Sequence, residues 1–452
     1  MEQTPSFDDL KVRVTNKQIL SLALPITLAI LVPQLNLLVN SIFLGHLSQE
    51  ALGNAGVTGV FYLIFAVVGH GMNSSMQSVF GKYAGGGHPE KFNTVLIQGI
   101  RICLVLSGFF MLFTWILAPY LFKIIADPAA YPAEMSFLRI RILGLPFLYL
   151  FQMGNAFLIA SLNSRYLIIG FVIESGVNML LDYLFIFGHG GFPAMGFNGA
   201  AWASVLAECT GMIVVFSVIR ISGLKKKYSI FSRFNYNKEI FNEITVISIP
   251  LIIQYIISLS TWLVFFLLIE GRGDMAKAIS NTMRNVFGLA GIFIWAFAGT
   301  CNTMVANLIG QGKKKLVLLA VQKISIWSFG FTSLIVLLLN VVPSAFFELF
   351  GQSDGFVQNG IPVIRVVSIG MLLMSLSNIW LNAVTGTGKT KINLMIEFTA
   401  IFLYLVYTLY FMKYNYISLA MAWSNELVYW LIILLMSATF MISGKWKSER
   451  GK

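Results

Sequence analysis

The 452-residue chain has little charge: only 11% of its residues are Asp, Glu, Lys or Arg, whereas 57% are hydrophobic. Soluble domains carry about 25% charged residues. A chain with less than half of that fraction cannot cover itself with polar surface in water. The composition therefore excludes an ordinary soluble protein and indicates one that is embedded in lipid.

Residue types that build metal and catalytic sites are also scarce. The chain has four histidines and three cysteines, and none stands at a metal-ligand spacing or beside a paired base. The stretch AVTGTGKT (383–390) resembles a phosphate-binding loop, but Ala383 replaces its first glycine and it follows an apolar segment rather than a strand. We therefore expect no enzyme activity, no cofactor and no ATP site.

Long apolar runs dominate what remains. A membrane-spanning helix needs about 20 mainly apolar residues, and backbone groups in lipid must form hydrogen bonds within their own segment. These runs predict an all-α polytopic membrane protein with twelve transmembrane helices. They lie near residues 18–39, 55–77, 95–118, 137–160, 166–188, 198–221, 243–268, 278–308, 317–344, 360–385, 391–413 and 417–442.

The net charge of +12 is unevenly distributed among the loops. Basic residues concentrate in the tails and even-numbered loops, most densely at 225–227 and 313–315, and the odd-numbered loops have few. Positive charge collects on the cytoplasmic side of membrane proteins. We therefore expect both termini in the cytoplasm and read the basic charge as a topology signal, not as a nucleic-acid interface.

The two halves of the sequence repeat each other. Small gaps aside, an offset of about 225 positions pairs the following residues: Pro25 with Pro250, Gly85 with Gly310, Gly87 with Gly312, Arg139 with Arg365, Gly144 with Gly370 and Glu174 with Glu397. We predict two six-helix lobes related by a pseudo-twofold axis along the membrane normal, a known transporter plan. The lobes are residues 1–221 and 243–452, the second with a cytoplasmic tail, joined by a cytoplasmic basic linker at 222–242.

Three prolines lie in the first helices of the two halves, two in the first half and one in the second. Pro25 and Pro250 are expected in the first turns of their helices, where a proline can start a helix or serve in gating. Pro33 lies deeper, where the loss of a backbone hydrogen bond bends a helix. Pro33 is therefore the better candidate for a hinge that lines a cavity.

Polar residues in the fifth apolar run form a stripe. Glu174, Asn178 and Asp182 are spaced by four and share one helix face. A charged side chain in the bilayer core costs about 2.5–3.5 kcal/mol and usually serves function. Such carboxyl groups can exchange protons near neutral pH or coordinate a small cation. Alternatively, Asp182 lies solvated near the outer interface and Glu174 only faces the inner half.

Other polar residues lie in the apolar runs. Asn36 and Asn40 form a second stripe in the first run, and His70 in the second run could titrate. Such residues also serve simply as hydrogen-bonding partners between helices. Arg284, in the eighth run, needs water or an anionic partner that the sequence does not identify.

Five motifs resemble the multidrug and toxic compound extrusion (MATE) family, within the multidrug/oligosaccharidyl-lipid/polysaccharide flippase superfamily. They are NLLVNSIFLGHLSQEALGNAG (36–56), KYAGGGHPEKFN (82–93), VNMLLDYLFIFG (177–188), GFNGAAWASVLAE (196–208) and NTMVANLIGQGKKK (302–315). The resemblance covers nearly the whole chain. It implies an antiporter in the bacterial plasma (inner) membrane that exports organic cations in exchange for protons or sodium by alternating access.

The resemblance also implies a cation site in the amino-terminal lobe. Asn178 and Asp182 match the family's asparagine and aspartate on the fifth span, and Ser204 is the candidate for its hydroxyl group on the sixth. The family's first-span aspartate is replaced here by Asn40, which cannot carry a charge or a proton. In another branch the acidic residue lies where this chain has Ser258. Neither arrangement is complete, so the identity of the coupling ion stays open.

Other functions remain open at this point. A lipid-linked glycan flippase of the same superfamily is the main alternative, and its cavity would be lined by basic residues such as Arg139, Arg141, Arg284, Lys323 and Arg365. A membrane-embedded enzyme and a passive channel are weaker. We expect a monomer in membrane lipid that carries a small amphiphilic molecule and binds no nucleic acid.

Overall fold

A computed structural model describes residues 10–125, 128–348, 354–414 and 417–447, and in these ranges the regular elements are helices. The predicted lobes extend at both ends beyond the described residues. The α-helices are α1 (Asn16–Leu47), α2 (Gln49–Gly85), α3 (Lys91–Ile116), α4 (Ala118–Ile125), α5 (Tyr131–Arg141), α6 (Leu145–Ala160), α7 (Leu167–Phe187), α8 (Phe197–Ile221), α9 (Leu224–Lys227), α10 (Lys238–Glu270), α11 (Asp274–Gly310), α12 (Val317–Val341), α13 (Pro343–Glu348), α14 (Asp354–Gly386), α15 (Thr390–Tyr414), α16 (Leu419–Trp423) and α17 (Asn425–Ser443).

Twelve helical segments within the described ranges are long and apolar enough to cross a membrane. This confirms the prediction of an all-α protein with twelve spans. Several helices are longer than the apolar runs: α2 and α11 have 37 residues each. At 1.5 Å per residue such a helix is about 55 Å long, compared with about 30 Å for the hydrocarbon core. Their ends therefore reach beyond the lipid tails.

The chain divides into two compact units, and a short segment near the N-terminus belongs to the C-terminal unit. The N-terminal unit contains Leu24–Ser248, and the C-terminal unit contains Lys11–Ala23 with the described residues from Ile249 onward. In the N-terminal unit α2 packs on α6 and α7 packs on α8, and in the C-terminal unit α11 packs on α14 and α15 packs on α17. Corresponding helices thus have corresponding partners. The lobe boundaries at 221 and 243 remain a prediction.

The first turns of α1 belong to the C-terminal unit, and side-chain amides of α11 bind the residues before them. The Val12 amide donates to Asn307 Oδ1 at 3.0 Å, and Gln311 Nε2 donates to the Val12 carbonyl at 3.0 Å. Lys323 Nζ donates to the carbonyl of Val14 at 3.2 Å. Because α1 continues in the N-terminal unit from Leu24, one helix belongs to both units.

The first turns of α10 likewise belong to a different unit from the rest of the helix, in this case to the N-terminal unit. In the N-terminal unit Glu243 accepts from Lys82 Nζ at 2.6 Å and from the Tyr83 hydroxyl at 2.8 Å. From Ile249 onward α10 belongs to the C-terminal unit. In both halves the helix therefore changes unit shortly before a proline, at Ala23–Leu24 before Pro25 and at Ser248–Ile249 before Pro250.

The expected position of Pro25 and Pro250 in the first helical turns is wrong. α1 begins at Asn16 and α10 at Lys238, so both prolines lie in helix interiors. The reason is that polar residues before each apolar run continue the helix, and hydropathy does not detect them. Both prolines, like Pro33, leave a backbone carbonyl without its helical partner.

Candidate functional site

The proposed site lies where α1 and α7 run side by side in the N-terminal unit. Asn36 Nδ2 donates to Asn178 Oδ1 at 2.7 Å, and two turns later the rings of Phe43 and Phe187 meet edge to face, 6.0 Å apart. Both contacts advance along the two chains together, so the helices are parallel. Because both helices rise equally per residue, Asn40 lies level with Asp182, one turn beyond the Asn36–Asn178 contact.

Asp182 is fully buried, at 0% exposure. Neither of its carboxylate oxygens has a hydrogen-bond partner among the described residues. A buried charge normally requires a partner because desolvation of an unpaired ion costs several kcal/mol. The burial does not agree with the alternative of a solvated aspartate at the interface, and the role of Asp182 in cation coupling remains a prediction.

The amides around Asp182 offer further unsatisfied oxygens. Asn36 Oδ1 and Asn40 Oδ1 are buried without a hydrogen-bond partner in the described residues, and so is Asn178 Nδ2. Asn178 itself is only 4% exposed. Buried polar atoms are nearly always paired, so the unpartnered oxygens of Asp182, Asn36 and Asn40 are candidates for the ligands of a cation. One carboxylate with neighbouring amide oxygens provides the hard oxygen ligands and the single negative charge that suit a monovalent cation.

Glu174 and Ser204 are not joined to this cluster by hydrogen bonds. Glu174 lies two turns before Asp182 and is partly buried, and its side chain packs where a Cβ atom on Gly211 would come within 3.2 Å. Ser204 is partly buried on α8, and it gives no hydrogen bond to Asp182 or Asn178, the described partners that the family pattern predicts. Both remain predictions as site residues.

The three candidates for cavity or gating roles lie apart from these contacts. His70 is exposed on α2, Pro33 is partly buried in α1, and Arg284 is exposed on α11. The Arg284 guanidinium lies 5.9 Å from the ring centroid of Phe266. Among the described residues its contact is thus with an aromatic ring, and no carboxylate forms an ion pair with it. Their predicted roles remain predictions.

A buried ion pair that sequence reasoning did not identify lies in the same unit. Arg141 Nη2 donates to Glu208 Oε1 at 2.6 Å and Nη1 to Oε2 at 2.9 Å. The Tyr62 hydroxyl donates to Oε1 at 3.2 Å, and the guanidinium stacks 3.7 Å from the Tyr62 ring centroid. A Cβ atom on Gly144 would lie 2.0 Å from Glu208 Oε2, so any larger residue there would push the carboxylate away from Arg141. The repeated Gly144/Gly370 pair was the available sequence signal.

The family model named MatE matches this chain twice, over residues 25–184 and 250–411. The two matches cover well over half of the chain, and each begins at one of the helix-interior prolines. The chain belongs to the MatE family. The two matches also confirm that the halves of this membrane-spanning chain are repeats of one unit.

Relatives and solved structures of MatE family proteins agree with this assignment. The probable multidrug resistance protein NorM of Thermotoga maritima is 21% identical over 438 residues, which cover 96% of this chain and 93% of that protein. An outward-facing multidrug resistance MATE family transporter of the MOP superfamily is 17% identical with a TM-score of 0.88, over 99% of this chain and 100% of that one. These homologues are transporters, not enzymes, which confirms the expectation that this MatE protein is no enzyme.

A second solved structure is described by the polarity of its binding pocket. It is a MOP superfamily transporter of Pyrococcus furiosus, 17% identical with a TM-score of 0.88 over 99% of this chain and 100% of that one, and a reverse polarity of its binding pocket suggests a different function for it. At such identities the likeness shows the fold alone. The chemistry of this MatE protein must be argued from its own side chains.

Proposed function

We propose that this MatE family protein is a secondary active antiporter that exports organic cations or drugs in exchange for protons or sodium by alternating access. The relative from Thermotoga maritima is named a probable multidrug resistance protein, and a protein of the same fold is described as a multidrug resistance transporter. The proposal includes a monomer in membrane lipid with an amphiphilic cargo, and no nucleotide, nucleic acid or resident cofactor.

The observation that carries this proposal is the unpaired carboxyl group of Asp182. It is fully buried and unbonded, and the orphaned oxygens of Asn36 and Asn40 lie on the helix beside it. The coupling ion is a transported substrate of this site. Asp182 would supply the charge, and the amides of Asn40 and Asn178 would supply neutral ligands.

Charge balance at this site supports exchange. An ionised Asp182 in a medium of low dielectric constant attracts one positive charge strongly. A bound proton or sodium ion cancels that charge, and an organic cation attracted by the same carboxylate is then no longer held. A ligand shifts a conformational equilibrium only by its differential affinity for the two states, so this competition links release of the cargo to uptake of the ion.

The alternative of a glycan flippase loses two of its five basic residues to other contacts. Arg141 is neutralised by Glu208, and Lys323 donates to the carbonyl of Val14. A cavity that binds pyrophosphate needs basic side chains that are available to the ligand. The described contacts therefore favour cationic over anionic cargo.

The test is efflux of a fluorescent organic cation from proteoliposomes under separately imposed proton and sodium gradients. Asp182→Asn keeps the shape of the side chain but removes its charge, so we expect gradient-driven efflux to fall to the level of empty liposomes at unchanged protein incorporation. Asp274→Asn, at an exposed aspartate on α11, is the matched control and should retain full efflux. Equal efflux in the Asp182→Asn variant and the wild type would reject the assignment.

A further inference from the structure

The C-terminal unit holds two buried glutamates that the Asp182 site does not use. Glu397 lies on α15 and is 2% exposed, and Glu426 lies in the first turn of α17 and is 5% exposed. Glutamate is rarely buried to this extent without a charged partner. Their surroundings therefore decide whether they are structural or bind something.

Glu397 is surrounded by neutral donors. The Tyr429 hydroxyl donates to Oε1, and Gln254 Nε2 approaches Oε2 at 3.3 Å. Tyr429 also meets the Ser258 hydroxyl at 3.1 Å. Gln254 is 8% exposed, and its Oε1 atom has no hydrogen-bond partner among the described residues. A buried acceptor beside the carboxyl group thus lacks a proton donor.

Glu426 has the same kind of environment. The Trp430 indole donates to Oε2 at 3.0 Å, and the Tyr404 hydroxyl lies 3.5 Å from Oε1. The rings of Tyr404 and Tyr429 are 5.9 Å apart, so the two glutamates share one aromatic cluster. The other groups around them are neutral: Gln254 and Ser258 from α10 lie at the Glu397 end, and Gly370 from α14 lies beside Glu426. In the described residues no lysine, arginine or histidine pairs with either carboxyl group.

The N-terminal unit contains a buried glutamate, Glu208, that does have a charged partner. Gly144 packs against Glu208 and its repeat partner Gly370 packs against Glu426, where an added Cβ would lie 3.7 Å from the glutamate Cβ. Glu208 is neutralised by Arg141. With the register of Gly144 and Gly370, the position of Arg141 is occupied by Val367 in the C-terminal unit. The repeat has therefore kept the glutamate but not its cation.

We propose that Glu397 and Glu426 form a proton-binding site in the C-terminal unit, because each carboxyl group is deeply buried and, in the described residues, has neutral hydrogen-bond partners and aromatic rings around it but no cation to balance a charge. A proton is the occupant because it neutralises a buried carboxyl group without requiring a cavity, whereas an unpaired carboxylate would bear the full desolvation cost.

Besides Asp182, the protein would then have a second site that binds positive charge. The protons bound there could be exchanged during transport, and only this exchange rests on the proposed function. Binding of the protons can be measured without cargo or a gradient. A failure of the site and a failure of the antiport proposal are therefore distinguishable.

Infrared spectroscopy of the purified full-length protein in nanodiscs tests the proposal, because a protonated carboxyl group has a C=O stretching band that a carboxylate lacks. We expect the wild-type protein to show this band at neutral pH. Glu397→Gln and Glu426→Gln should each lose the part of the band that comes from the carboxyl group they remove. Glu50→Gln, at an exposed glutamate on α2, is the control and should leave the band unchanged. Retention of the complete band in both variants would overturn the proposal.

Wild-type protein provides a second measurement if a variant fails to fold. Dicyclohexylcarbodiimide modifies protonated carboxyl groups in apolar surroundings, and peptide mass spectrometry identifies the residues modified. We expect modification of Glu397 and Glu426 at neutral pH and none of Glu208, whose carboxylate is paired with Arg141. Modification of Glu208 to the same extent would contradict the proposal, since the ion pair would then make no difference.

Efflux assays then test whether the proton site takes part in coupling, separately from whether it exists. With the infrared result positive, Glu397→Gln should slow efflux driven by a proton gradient. If that efflux is unchanged, the proton site stands and its part in coupling is rejected.

Discussion

At the scale of single residues, Glu208 and Glu426 differ in what faces them. Glu208 has a bidentate arginine, and Glu426 has an indole and a phenol. Removal of one partner of a buried ion pair leaves an uncompensated charge, whereas removal of a neutral carboxyl group does not. The same substitution should therefore have unequal effects at the two positions.

We predict that Glu208→Gln lowers the free energy of unfolding by about 3–5 kcal/mol, because Arg141 is left buried and unpaired. Glu426→Gln is the matched substitution in the other repeat and should change it by about 1 kcal/mol or less, since a glutamine can keep the neutral hydrogen bonds. Thermal unfolding of the purified proteins in one detergent measures both. Equal destabilisation of the two variants would show that the Arg141 pair is not the cause.

A second residue-scale prediction concerns Asn40, which stands level with Asp182. Asn40→Asp adds a second carboxylate to the site, and we expect the coupling ion to bind roughly tenfold more tightly, which corresponds to about 1.4 kcal/mol of added attraction. The measurement is efflux against the concentration of whichever ion drives it. Asn235→Asp adds the same charge at an exposed position and should leave that concentration dependence unchanged. No shift in Asn40→Asp would place Asn40 outside the ion's ligands.

At the scale of elements, α1 and α10 are the helices that pass from one unit to the other. Each changes unit two residues before a proline, at Pro25 and Pro250. A proline removes a backbone hydrogen bond and makes a helix easier to bend at that point. This position favours Pro25 and Pro250 as hinges, whereas the sequence favoured Pro33.

We predict that Pro25→Ala and Pro250→Ala slow cargo efflux by roughly tenfold, about 1.4 kcal/mol of the ~3 kcal/mol that a proline costs a helix interior. Binding of the cargo at equilibrium should not change. Pro362→Ala is the control, because Pro362 lies inside α14, which stays within one unit. A slower rate in the control than in the two hinge variants would remove the link between unit boundary and proline.

At the scale of the whole molecule, the distribution of basic residues predicts cytoplasmic termini. A cysteine at Lys225, in the basic linker, should be protected from a membrane-impermeant maleimide in intact cells. A cysteine at His189, in the exposed loop after α7, should react. Both are introduced into a variant that lacks Cys103, Cys209 and Cys301. The reverse pattern of labelling would invert the topology.

The sequence by itself determined the membrane class, the twelve helices, the repeat and the family. The membrane class and the helices follow from local properties, because an apolar run long enough to cross lipid must be helical there. The family followed from the resemblance of five motifs, and the repeat from residues that recur at a nearly constant offset. The Asn178–Asp182 stripe was also predictable, since four residues make about one helical turn.

Only the tertiary structure decided which residues meet. The parallel register that sets Asn36 against Asn178, the pairing of Arg141 with Glu208, and the neutral partners that the described residues provide to Glu397 and Glu426 depend on contacts between residues 22 to 143 positions apart. The exchange of the first turns of α1 and α10 between units was equally hidden. Helical periodicity fixes the face on which a side chain lies, but the packing of neighbouring helices decides what that face touches, and this packing is a property of the whole fold.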